Sequence, residues 1–495
     1  MTKVLLCVLD GFGEGKENKG NAITRAKTPF LDKLKSDYPW TLLKSSGEAV
    51  GIPKGNQGGS EVGHFTIGAG RIVHQPLEAI NQSIKSGDFF RKKELLAAAA
   101  HAKKTGSAFH ILGMISDQGI HSDIRHLFAL LEFARRQDLK KVYIHAITDG
   151  RDVPERSAPK FIKQLNSAIK KTGTGTLATM IGRYYAMDRD KNLNRTKKAF
   201  ELLTACKGTP AESAQKALKD AYAAGLDSDY YLDPILLDPD GQIRPNDSVV
   251  FFNFRTDRAA QLTEMLLTKL KLNFVAFGPY TKKAPVAFPA PVVKNNLAQV
   301  LQDNKKSQLR IAETEKFAHV TFFFNSQEKK PYKKETRIMI DSPKCPTYAD
   351  KPEMSAPKVT TALLRELPKN YDLIVLNYAN LDLVGHSGEL SAAIKAVQTI
   401  DDCLSRIIPA ALTAGYRILI TGDHGNAEYM LYENGEQCPS HTRNPVPFIY
   451  VSNPPARLRR FSHSRPTGGL EDIAPTILSL LDLKKPKEMT GRSLI

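Results

Sequence analysis

The chain has 495 residues, 41% of them apolar and 25% charged, and a formal net charge of +18. That length holds two or three domains of ordinary size, and the composition is that of a folded protein, which excludes a disordered or fibrous class. No run approaches the ~20 apolar residues of a membrane span, and five scattered cysteines without a Cys-x-x-Cys pair argue against a disulfide framework or a thiolate metal site.

The opening residues run at once into the apolar stretch 4–9, which is too short for a secretory leader and reads as a buried first strand; the cytoplasm is the expected compartment. Asp10 ends that strand and is followed by Gly11-Phe12-Gly13, which alone would be a turn. Next comes Gly58-Gly59-Ser60-Glu61-Val62-Gly63-His64. Glycines before Ser60 let backbone approach a ligand closely. A helix beginning at Ser60, with Glu61 in its first turn, would aim N–H groups at an anion. A plain N-cap explains the serine but not the glycines around it.

Beyond a candidate linker at His74-Gln75-Pro76, short Val-, Ile- and Phe-rich runs at 109–115, 142–147, 177–181 and 249–252 alternate with amphipathic stretches at 124–135, 158–169 and 260–270. This alternation predicts α/β architecture with mainly parallel sheets. Basic residues gather just past the runs. His121 follows the first, Arg151 and Asp152 follow the second, Arg183 and Arg189 follow the third, and Arg255 and Arg258 follow the fourth. Guanidinium groups bind carboxylate and phosphate in bidentate fashion, so arginines at three strand ends predict an anion pocket more readily than unrelated surface pairs.

The Pro-rich stretch 285–291 cannot continue a helix or a central strand and reads as a second linker. One domain is therefore expected to be split between residues 1–75 and 292–495, with residues 76–291 inserted as a second α/β domain. In the last third, strand-like runs at 373–376 and 418–421 flank the helical pattern 392–408. Asp382 and His386 follow the first run, Asp423 and His424 follow the second, and His441 comes soon after. Ligands of open α/β sheets bind beyond the carboxyl ends of the strands. Mixed Asp and His donors there suit manganese, zinc or iron, not calcium. A serine is a weak nucleophile until activated, and metal coordination is one way to activate it.

The runs Leu9-Asp10-Gly11, 58–71, 377–388 and 421–426 together resemble those of the cofactor-independent phosphoglycerate mutases, members of the alkaline phosphatase superfamily, and the resemblance covers essentially the whole chain. It implies an alkaline-phosphatase-like split α/β domain with an inserted second α/β domain. It also implies interconversion of 3-phosphoglycerate and 2-phosphoglycerate without bisphosphoglycerate, through a phosphoserine at Ser60. Two manganese ions are implied, one on Asp382, His386 and His441, the other on Asp10, Ser60, Asp423 and His424. His121, Arg151, Asp152, Arg183, Arg189, Arg255 and Arg258 match substrate-binding positions, Asp152 being the candidate for proton transfer, and Lys316 matches a phosphate-binding lysine. Three positions depart: Gly59 stands where asparagine is common, and Gln118 and Asp123 where glycine and histidine are usual. A related phosphatase or phosphopentomutase would share the metal site, but a phosphopentomutase is expected to carry a threonine nucleophile. The positive charge admits nucleic acid, a membrane surface or a small anionic substrate as partner. Because the aromatics lie in strand-like runs, a small anion is expected and nucleic acid and membrane are not. A monomer is expected.

Overall fold

The computed structural model describes residues 2–455 and 462–495; residues 1 and 456–461 lie outside the described residues. The chain forms two compact units, one from Met1–His74 with Val292–Ile495, the other from Gln75–Pro291. Among the described residues, no helix is long and apolar enough to cross a membrane.

The first unit is built on an eight-stranded sheet. Five neighbouring strands run parallel, in the spatial order Glu335–Ile340, Gln308–Glu313, Leu373–Tyr378, Lys3–Leu9 and Tyr416–Thr421. Val446–Val451 then runs antiparallel to both its neighbours, Tyr416–Thr421 and Trp40–Lys44, and Pro466–Gly469 closes the far edge. A strand covered on both faces reads as an unbroken apolar run. Lys3–Leu9 is such a strand, buried at every residue but the first, with helices packed over both sides. Leu390–Thr413 covers one face with a long stripe that includes Ala396, Val397, Ile400, Leu404 and Ile407.

The second unit repeats the plan with seven strands, in the order Thr209–Pro210, Ile235–Leu236, Thr176–Gly182, Val142–Thr148, Phe109–Met114, Ser248–Phe251 and Asn273–Ala276. All pairs are parallel except that of Thr176–Gly182 with Ile235–Leu236. The apolar runs read as strands in the sequence are strands here. The helix expected at 260–270 begins earlier, as Thr256–Lys269, because Arg255 supplies an extended N-cap and Asp257 an acidic first turn that favours the helix start.

Candidate active site

Four adjacent parallel strands of the first unit deliver one cluster at their carboxyl ends. Gln308–Glu313 leads into Lys316, Leu373–Tyr378 into Asp382 and His386, Lys3–Leu9 into Asp10, and Tyr416–Thr421 into Asp423 and His424. Ser60 is the first residue of the helix Ser60–Ala69; the N-cap is Gly59, so the hydroxyl is free for other work. Two glycines make the approach possible. A Cβ on Gly63 would lie 2.8 Å from the Asp423 carbonyl oxygen, so only glycine lets this helix rest on the strand end. Gly11, with φ of +79°, passes so close to Asp382 that a Cβ would sit 2.7 Å from its backbone nitrogen.

The Ser60 hydroxyl donates to Asp10 Oδ1 at 2.9 Å and lies 3.0 Å from His424 Nε2. Lys316 Nζ donates to Asp10 Oδ1 and to Ser60 Oγ, each at 2.7 Å, and to Asp382 Oδ2 at 2.5 Å. Asp10, Asp382, Asp423, His424 and Lys316 are all buried, and a cavity of about 410 Å³ opens beside Ser60, lined also by Gly59, His319 and His441. Three buried carboxylates face one ammonium, so with neutral imidazoles the centre is two positive charges short of neutrality.

The imidazoles themselves point to a cation. His441 Nδ1 is 2.8 Å from the Gly58 carbonyl, His386 Nδ1 is 2.7 Å from the Pro439 carbonyl, and His424 Nδ1 is 3.2 Å from the Gly425 carbonyl. Each Nδ1 must donate to its carbonyl, which in the neutral rings leaves the Nε2 lone pairs of His386 and His441 turned to the Asp382 carboxylate and that of His424 turned to Ser60 and Asp10. His441 Nε2 is 2.9 Å from Asp382 Oδ1, His386 Nε2 3.3 Å and His424 Nε2 3.7 Å, while the two Nε2 atoms of His386 and His441 are 3.0 Å apart. Lone pairs facing one another at that distance require a positive charge between them, and a backbone carbonyl on the far nitrogen is the usual outer contact of a metal-bound histidine. In the metal-free chain protons supply part of that positive charge. Burial opposes a charged His424, but Asp423, Asp10 and Asp382 outweigh it and push its pKa up to about 10. Hydrogen bonding to Asp382 likewise raises His386. Burial favours neutral Asp10, yet Lys316 and His424 hold it well below the usual carboxylate range, and Lys316 in turn stays charged against its own burial because of Asp10 and Asp382. Asp382, His424 and His441 converge as one group able to hold a metal ion, and Asp10, His64 and Asp423 as another. His64 is absent from the donors expected from the sequence.

The second unit gathers its own cluster, again at the ends of four adjacent strands. Arg183, fully buried, donates through Nη1 to Asp149 and Asp152, each at 2.6 Å, and its Nη2 lies 3.0 Å from His121 Nε2. A guanidinium can only donate, so His121 Nε2 accepts and Nδ1 carries the proton; that buried Nδ1 has no partner among the described residues. Burial and then Arg183 and Arg255 push the His121 pKa down to about 4. Asp257 bridges two arginines, accepting from Arg189 Nη1 at 2.7 Å and lying 3.0 Å from Arg255 Nε. Arg258 donates to the Met187 carbonyl at 3.2 Å, and burial, followed by Arg183 and Arg189, lowers its pKa. Arg151 is exposed and makes no side-chain contact of this kind, only a backbone N–H bond to Asp149. Crowded like charges and an orphaned N–H donor fit a small anion.

Sequence reasoning missed four supports, His64, Asn377, Asp149 and Asp257. His64 was open to detection, since it stands four residues after Ser60 on the same helix and so on the same face. The three departures from the family pattern are accommodated. Asp123 caps the helix Ile124–Arg136, accepting from Arg125 N at 2.8 Å, Gln118 is exposed, and a Cβ on Gly59 would meet His441 at an ordinary 3.6 Å.

Residues 2–485 match the family model of the Metalloenzyme superfamily. The 2,3-bisphosphoglycerate-independent phosphoglycerate mutase of Moorella thermoacetica is 47% identical over 509 residues, covering 99% of this chain and 98% of that one. Phosphoglycerate mutase 1 of the same kind from Methanosarcina acetivorans is 46% identical, covering 99% and 98%. A crystal structure of Leishmania mexicana phosphoglycerate mutase, at low cobalt concentration, is similar with a TM-score of 0.61 and 27% identity, covering 100% of this chain and 97% of that one. On this match along its whole length, the chain belongs to the metalloenzyme superfamily and, within it, to the 2,3-bisphosphoglycerate-independent phosphoglycerate mutases.

Proposed function

We propose that the chain interconverts 3-phosphoglycerate and 2-phosphoglycerate by passing the phosphoryl group through Ser60, on a centre for two divalent metal ions, manganese by family likeness. The observation that carries this reading is the set of three imidazoles whose Nε2 atoms face the Asp382 and Asp10 carboxylates, next to a serine already hydrogen-bonded to Asp10. Asp382, His386 and His441 would hold one ion, and Asp10, Ser60, Asp423 and His424 the other. When bound, such ions lower the pKa of a ligating hydroxyl and offset charge on a transferring phosphoryl group.

Ser60 Oγ loses its proton and attacks phosphorus, the bond from phosphorus to the glycerate oxygen breaks, that oxygen takes up a proton, and phosphoserine and glycerate result. The Lys316 ammonium, 2.7 Å from Oγ, neutralises charge developing on the phosphoryl oxygens. The second unit's cluster retains glycerate. Arg183, Arg189, Arg255 and Arg258 bind its carboxylate, with Arg151 supplying further positive charge, and neutral His121 donates to it through Nδ1–H. Asp152, braced by Arg183, moves the proton at the glycerate hydroxyls. The other hydroxyl then attacks phosphoserine and regenerates Ser60.

The test is incubation with substrate labelled in its phosphate, in manganese and without bisphosphoglycerate. The expected results are formation of 2-phosphoglycerate and transient label on Ser60, both lost in Ser60→Ala. Stable label on any other residue would defeat the reading.

A further inference from the structure

We infer that His64 and Asn377 form a strut that sets the positions of the Asp10 and Asp423 carboxylates, making them positioning residues for the centre proposed above, on which this inference rests. All four residues are fully buried. Asn377 lies in the strand Leu373–Tyr378, paired with Val8 two residues before Asp10, and its Nδ2 is 2.8 Å from Asp10 Oδ2. A carboxylate only accepts, so the amide cannot be turned round without setting oxygen against oxygen. Its second proton therefore faces His64 Nε2, 3.1 Å away, which makes Nε2 the acceptor and leaves the ring proton on Nδ1. A second proton on Nε2 would collide with the amide hydrogen, so the neutral tautomer is fixed by geometry. The Nδ1–H donates to the Ser60 carbonyl at 2.9 Å, and Nδ1 lies 3.2 Å from Asp423 Oδ2 without a hydrogen bond of normal geometry to it. Asp423 Oδ2 has no hydrogen-bond donor of normal geometry, whereas Oδ1 accepts from Gly11 N and His424 N.

The chain of contacts thus runs from Asp10 through Asn377 and His64 to Asp423 and to the backbone of Ser60 itself. It ties the two carboxylates to each other and to the first turn of the helix that carries the nucleophile. The ring also sits close enough to Asp10 and Asp423 to be a third ligand. Its hydrogen bonds decide against that, since Nε2 is turned to the amide and Nδ1 to the helix carbonyl, and ligation would break one of them.

The test uses the full chain and manganese alone, titrated and followed by electron paramagnetic resonance, with electron-spin-echo spectroscopy to register histidine nitrogens on the ion. Groups of this kind typically alter metal affinity about tenfold to hundredfold. Asn377→Leu and His64→Leu are each expected to weaken manganese binding by that factor, with the histidine nitrogens on manganese unchanged and kcat largely recovered at saturating manganese. His64→Asn, whose amide nitrogen can stand near the Nδ1 position, is expected to lose less than His64→Leu and serves if the leucine variant does not fold. Affinity unchanged in Asn377→Leu and either His64 variant overturns the strut. So do equal losses in His64→Asn and His64→Leu, and so does the disappearance of a histidine nitrogen in a His64 variant, which would make His64 a ligand. Parent chain that binds no manganese would defeat the proposed function itself, and that outcome is read before any variant is made.

Discussion

Replacing Lys316 by methionine separates two roles that one ammonium plays. Its Nζ is the one permanently cationic side chain described among three buried carboxylates, touching Asp10 Oδ1 and Asp382 Oδ2, atoms that metal ligation would also use. In the metal-free chain, deleting the charge leaves those carboxylates uncompensated. Breaking a buried pair from one side costs about 3–5 kcal/mol, and because Lys316 is only 4% exposed that figure needs little discount for solvent. At about 2–4 °C per kcal/mol, the midpoint of unfolding in chelator should fall by roughly 6–20 °C. With manganese the sign reverses for binding, because a competing cation is gone: affinity should hold or rise. Turnover should nevertheless fall, by about 10²–10³, the usual cost of removing one preorganised charge from a transferring group. The assays are thermal unfolding with chelator and with manganese, manganese titration, and a coupled mutase assay at saturating metal. A variant that binds manganese normally and keeps kcat within tenfold of the parent would refute the role of Lys316 at the phosphoryl group.

Arg255→Ala should lower mutase activity and raise the fraction of turnovers releasing inorganic phosphate, because loss of a charge-assisted contact of roughly 1.5–3 kcal/mol speeds glycerate escape about tenfold to hundredfold; equal loss of both products would place the arginine in substrate binding. His424, raised to about 10, is protonated in the metal-free chain at neutral pH. Its stabilisation of that chain should be complete below pH ~6.5 and disappear as pH rises through 10, whereas manganese affinity should rise over the same window because metal displaces the proton; acid loss of activity indifferent to manganese would point to another group. In the second unit, burial pushes His126 down to about 4 and His145 well below its ordinary value. Their contribution is intact above pH ~6.5 and lost as pH falls toward 4, so stability followed by a probe in that unit should drop in this window, and His126→Phe should flatten the drop.

Much of this was legible because chemistry stands next to strong local signals. Asp10, Asp382, Asp423 and His424 each follow an apolar run, so their strand-end placement could be read, while Asp10 as a donor was reachable only through family resemblance. What stayed hidden has three physical causes. Strand order has no local signature: nothing in the sequence states that Lys3–Leu9 lies between Leu373–Tyr378 and Tyr416–Thr421. Some strands do not look like strands. Gln308–Glu313 carries a buried arginine, Arg310, stacked over Phe324 at 4.7 Å, so the element that delivers Lys316 reads as polar, and Lys316 was reachable only through family resemblance. Glu335–Ile340 is a half-exposed edge with charge at alternate places. Supporting polar residues are also silent. Asn377 lies inside a buried run, and Asp257 beside two arginines looks like a solvated surface pair until Arg189 is seen to share it.

The two centres are opposite in charge and alike in construction. Each sits at the carboxyl ends of four neighbouring parallel strands, where successive loops leave the sheet side by side and can carry unrelated side chains into one place. In the first unit those loops bring carboxylates and imidazoles, a surplus of lone pairs that only cations can satisfy. In the second they bring guanidinium groups held by Asp149, Asp152 and Asp257, a surplus of donors that an anion can satisfy. Under the function proposed above, the first cluster would act on a phosphate and the second on a carboxylate. Counter-ions already hold part of the second cluster, with Asp149 and Asp152 on Arg183 and Asp257 on Arg189. Arg183 donates to two aspartates and to His121, leaving Nε buried and without a partner among the described residues. Charge is therefore incompletely neutralised in each cluster, and under the function proposed above that residual demand is what would draw a ligand of opposite charge to each.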